Sequence, residues 1–105
     1  MDIRVEFQND MKLKLYKARA LLELVMRNKI GTITLEETPL KWLDNGELFI
    51  YKGTMRYLLM RNNGRFAEGK IMATQIWSSL TGEEHKGEQY SIWDDLLVVD
   101  TGVRL

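Results

Sequence analysis

Residues 46–64 read GELFIYKGTMRYLLMRNNG. Three punctuation marks frame and divide this stretch: Asp44-Asn45-Gly46, Lys52-Gly53 and Asn62-Asn63-Gly64. Asn-Gly supplies the positive φ that tight hairpin turns need. Between the marks lie Glu47–Tyr51 and Thr54–Arg61. The second segment is rich in Tyr, Leu and Met and reads as a strand buried on both faces. The centre of the chain therefore predicts short antiparallel strands joined by turns.

The same reading extends downstream. Arg65–Ser78 predicts a long strand, bulged at Gly69. A helix from Ile71 to Leu80 competes, but Thr74, Ile76 and Trp77 favour a strand. Thr81–Glu88 is a polar, glycine-flanked loop. Gln89–Trp93 and Leu96–Val99 read as strands separated by Asp94-Asp95, and a short tail ends in Arg104-Leu105.

Upstream the period changes. Ile3, Val5 and Phe7 alternate with polar residues, which predicts a half-buried strand. Asn9 and Asp10 offer N-cap oxygens for a helix running to about Asn28. Met11, Leu15, Ala18, Leu22 and Val25 recur at spacings of four and three, so they share one helical face. Leu21 and Met26 widen that stripe. Glu23 precedes Arg27 in the order that favours a helical ion pair, and Gly31 can stop the helix. Ile33 and Leu35 predict another strand, which Thr38-Pro39 breaks.

Strand, helix, then short strands with turns every ~8–12 residues suggest a meander. The expected fold is α+β: one N-terminal amphipathic helix packed on a curved antiparallel sheet. The runner-up is a small β-barrel with the helix plugging an end. The 105 residues suit a single domain, 1–105.

Composition narrows the chemistry. There are 15 basic and 15 acidic side chains, one histidine and no cysteine. Zero net charge argues against a protein built mainly to grip duplex DNA. Without cysteine there is no disulfide scaffold, thiolate metal site or thiol nucleophile. No segment approaches the ~20 apolar residues of a membrane span, so a cytoplasmic protein without membrane contact is expected. The charges are nonetheless unevenly placed. Residues 41–70 hold six basic and three acidic side chains, whereas residues 71–105 hold two and six.

Catalytic constellations are weak. Glu83, Glu84, His85 and Glu88 form the obvious polar cluster, but they occupy a glycine-flanked loop where water solvates them. One histidine supplies zinc poorly, and the spacing matches no calcium loop. Ser78, Ser79 and Ser91 lack a glycine elbow, and no phosphate-loop or dinucleotide pattern occurs. No catalytic residue, metal or cofactor is assigned, and no enzyme is expected.

Two recognition classes fit better. Trp42, Trp77 and Trp93 are many for this length, and interfaces are enriched in Trp, Tyr, Met and Arg. With the acidic pair Asp94 and Asp95 they are the candidate protein-binding residues. The leading expectation is thus a small non-enzymatic protein acting by protein–protein contact, an inhibitor or adaptor of a larger machine. Small size and missing catalytic groups also fit a viral or mobile-element origin. The alternative is a single-stranded nucleic-acid binder using Tyr51, Lys52, Arg56, Arg61, Arg65 and Phe66, where cations alternate with stacking platforms. Capture of a small ligand in a sheet cavity is a third reading. Short strands leave edges unpaired, so a homodimer is expected more readily than a monomer.

Overall fold

The computed structural model describes residues 3–27 and 36–105. This part of the chain forms one helix and six strands. They are α1 (Ile3–Arg27), β1 (Thr38–Pro39), β2 (Glu47–Lys52), β3 (Tyr57–Ala67), β4 (Lys70–Ser78), β5 (Gln89–Trp93) and β6 (Leu97–Arg104). A short 3-10 helix, Leu40–Trp42, lies between β1 and β2. The strands are ordered β1-β6-β2-β3-β4-β5 and every pairing is antiparallel. The fold is α+β with a meander through β2–β5, and β6 returns to the other side of β2.

Helix α1 begins at Ile3, which corrects the strand expected at the N-terminus. Ile3, Phe7 and Met11 stand four apart, so the same residues satisfy the helical period. Asn9 and Asp10 therefore lie inside the helix and do not cap it. Among the described residues the ion pair on α1 is Asp10–Lys14, at 3.3 Å, and not Glu23–Arg27, whose side chains stay exposed. The stripe itself is as expected: Ala18, Leu22 and Val25 are buried, with Leu15, Leu21 and Met26 packed beside them. The helix stop at Gly31 and the strand at Ile33 and Leu35 lie outside the described residues.

Three turn assignments change. Asn62-Asn63-Gly64 is not a hairpin but a bulge within β3, where the register against β4 shifts between Asn62 and Arg65. Buried Asn62 holds the bulge by donating to the Leu43 carbonyl (3.2 Å) and accepting from the Gly64 amide (2.8 Å). The hairpin falls instead at Glu68-Gly69, where Gly69 takes φ 73°. Thr38-Pro39 itself forms a short strand that pairs with Leu97–Val98, an edge position that tolerates proline's missing donor. Residues 71–78 are strand, not helix. The expected tail is also strand, since β6 runs on to Arg104.

The sheet is strongly curled. Four inter-strand steps of ~4.8 Å would put β5 and β6 about 19 Å apart if it were flat. The chain from Trp93 to Leu97 spans at most ~14 Å. Bending the sheet is the way to reconcile the two. It does not close into a barrel, because β5 and β6 form no ladder. The 3-10 helix sits at the gap, with Leu40 N–H donating to the Leu96 carbonyl and Lys41 N–H to that of Asp94, both at 2.8 Å.

Two cores result, one on each side of the sheet. On the concave side Leu40, Leu43, Phe49, Leu58, Met60, Ile71, Ala73 and Val98 pack together. On the convex side Leu48, Ile50, Leu59 and Val99 pack against Ala18, Leu22 and Val25 of α1. Leu48–Ile50 and Leu58–Met60 are therefore buried on both faces, as the uninterrupted apolar runs required.

Candidate interaction surface

The bond between Lys41 and Asp94 carries the main site consequence of the curl. It ties the segment bearing Trp42 to the turn that follows Trp93. Both indoles face solvent, Trp42 at 70% and Trp93 at 62% exposure. Phe66, 61% exposed, lies on the β3–β4 hairpin, and Leu97 next to the turn is also exposed. Interior side chains of this size are normally covered, so exposed aromatics on adjoining elements are informative.

Charges fix this corner. Arg65 Nη1 lies 3.2 Å from Asp94 Oδ2, joining the basic middle of the chain to its acidic end. Lys70 Nζ sits 4.4 Å from the centroid of the Trp93 ring, in cation–π geometry. Asp94 is therefore mostly covered and ion-paired, while Asp95 is exposed. Trp77 is set apart from the other two tryptophans. It is half-buried in the helix-side core, with the Arg19 guanidinium 5.1 Å from its ring centroid.

The residues singled out for nucleic acid do not share one face. Tyr51 and Arg56 line a cavity of about 280 Å³ on the concave side, with Leu58, Tyr90, Ile92 and Trp93. Lys52 is paired with Glu37 at 3.2 Å. Arg61 donates to Asn63 Oδ1 at 2.6 Å, and Arg65 is held by Asp94. Among the described residues Arg56 forms no ion pair, and no group of three carboxylate or histidine side chains is arranged to hold a metal.

A polar chain runs into the concave core beside this cavity. His85 Nδ1 lies 3.0 Å from Glu88 Oε1, and the Tyr90 hydroxyl donates to Glu88 Oε2 at 2.8 Å. The Tyr90 oxygen is also 3.2 Å from the Gln75 amide oxygen, while Gln75 Nε2 has no partner among the described residues. One hydroxyl proton serves one acceptor. With the Gln75 amide turned over, its NH₂ donates to the Tyr90 oxygen and the amide oxygen takes the position without a partner among the described residues. The Glu88 hydrogen bond and then burial raise the Tyr90 pKa above 10.0, with the Arg56 charge opposing them. The chain is a structural strut, since Tyr90 stays neutral at physiological pH.

Sequence reasoning missed the corner as a unit. It singled out Trp42, Trp93, Arg65 and Phe66, but divided them between two functions. Only the curl places them together, and no local signal encodes it. Comparison with protein-family models, with curated proteins and with solved structures finds no match.

Proposed function

We propose that this protein acts by contact with another protein, through the corner carrying Trp42, Trp93 and Phe66. The observation that supports it is the exposure of two indoles on segments joined by the Lys41–Asp94 main-chain bond. Rigid aromatic side chains lose little entropy on binding, and such residues dominate interface energetics. Arg65, Asp94 and Lys70 surround them with satisfied charge, in the manner of a polar rim. The dispersal of Tyr51, Lys52, Arg56 and Arg61 weighs against a continuous basic groove for single-stranded nucleic acid. An inhibitor or adaptor role is compatible with this surface and needs no chemistry from the chain itself.

The test uses tagged full-length protein and a Trp42→Ala/Trp93→Ala double variant on nuclease-treated lysate. A discrete protein retained by the wild type and lost by the variant is expected, with an unchanged melting temperature. Retention that disappears on nuclease treatment, or that the variant keeps, overturns the reading.

A further inference from the structure

We infer that two copies of this chain join through β5, edge to edge and antiparallel, with Ser91 on the two-fold axis. The argument begins with hydrogen-bond phase. Gln75 N–H donates to the Glu88 carbonyl, and Asp94 N–H to that of Gly69, both across the β4–β5 ladder. Antiparallel ladders alternate, so Tyr90 and Ile92 also turn their main-chain groups towards β4. Gln89, Ser91 and Trp93 therefore turn theirs outward, where no described strand lies.

The two edges of the sheet differ in protection. At the β6 edge, β1 covers Leu97 and Val98. Beyond them Gly102, at φ 72°, breaks the strand line, and its N–H is taken by Asp100 Oδ1. Charged Asp100 and Arg104 flank it. Natural sheets blunt their edges in these ways. Strand β5, Gln-Tyr-Ser-Ile-Trp, has no proline, no charge and no bulge.

Self-pairing fits this edge in one register. With Ser91 opposite itself, Gln89 faces Trp93 of the other copy, and every such pair falls on outward-facing main chain. Tyr90 then lies across from Ile92 of the partner copy, an aromatic–β-branched pair of the favourable kind. Each end of the paired strands carries one carboxylate and one cation. The Tyr90 end carries Glu88 and Arg56, which forms no ion pair among the described residues and lines the same cavity as Tyr90. The end that meets it carries Asp94 and Arg65. In this register Glu88 lies across from Asp94 of the partner copy, with Arg56 and Arg65 as the cations beside that carboxylate pair, and Tyr90, Ile92 and Trp93 lose solvent. The inference shares Trp93 with the partner-binding reading, and Trp42, which lies outside β5, separates the two.

Sedimentation of the full chain between about 1 and about 200 µM tests it, a range suited to a small interface. The weight-average mass is expected to rise from 12.3 kDa towards twice that value. Ser91→Lys should hold the protein monomeric, since two like charges meet on the axis, and so should Ser91→Glu. Residue 91 faces solvent, so both variants should keep the melting temperature that the wild type shows when dilute enough to be monomeric. Mixing the two variants should restore the dimer, which locates the axis at residue 91. Trp42→Ala should leave it intact. A wild type that stays at 12.3 kDa throughout, or variants whose mixture behaves as either alone, overturns the inference.

Discussion

Glu47 sits half-buried at the start of β2, opposite Arg104 and beside Asp100. Burial raises its pKa from the ordinary 4.5, and the hydrogen bond and charge of Asp100 raise it further. Arg104 Nη2 is 3.6 Å from Glu47 but only 2.6 Å from Asp44 Oδ2, so its charge is mainly engaged there. Glu47 thus holds a proton more tightly folded than unfolded. Its contribution favours the fold at acid pH, and is lost as pH rises from 4.5 through the raised folded value. Glu47→Gln should therefore raise the melting temperature at pH 7, with the gain vanishing below pH 4.5. Thermal melts across that range check it, and a variant less stable at pH 7 would show that Arg104 dominates. Gly46, one residue earlier, has φ 87°, and a Cβ there would lie 2.6 Å from the Leu105 carbonyl. Gly46→Ala should cost about 2–3 kcal/mol in denaturant unfolding, from strain and clash together.

At the scale of elements, α1 contributes through one stripe rather than through its length. Leu22 is buried between Ala18 and Val25 against the sheet. Leu22→Ala should cost about 2–5 kcal/mol, measured by urea unfolding with an unchanged slope. A cost below 1 kcal/mol would mean that the helix packs loosely. That stripe was legible in the sequence because helical period and burial coincide. The strand at residues 89–93 was legible too, because polar residues bound it on both sides. The Asn62-Asn63-Gly64 bulge was not. Turn and bulge use the same residues, and the choice depends on β4 lying alongside to accept the shifted register. The N-terminal residues misled for a related reason. Five residues of alternation also contain an i, i+4 pair, and their continuity with the helical stripe decides the outcome.

For the molecule as a whole, the least legible feature was the role of β6. Its residues read locally as a strand of four followed by a tail, yet β6 is the second strand of the sheet, between β1 and β2. Phe49 pairs with Asp100 and Ile50 with Val99, about fifty positions away in the chain. No short window of sequence carries a pairing over that distance. Val98 belongs to the concave core and Val99 to the helix-side core, so one strand supplies both sides of the sheet. Burial of each valine contributes about 1.5–3 kcal/mol. The ladder to β2 and the anchoring of the 3-10 helix through Leu96 would be weakened with it. Together these terms approach the ~5–10 kcal/mol total stability of a domain this size. Truncation after Leu96 should therefore abolish cooperative unfolding and near-ultraviolet circular dichroism. A true tail would leave both unchanged, and a truncated protein with a wild-type melting transition would refute the central position of β6. The curl that brings Trp42 and Trp93 together depends on the same strand, so the truncated chain should also lose partner capture.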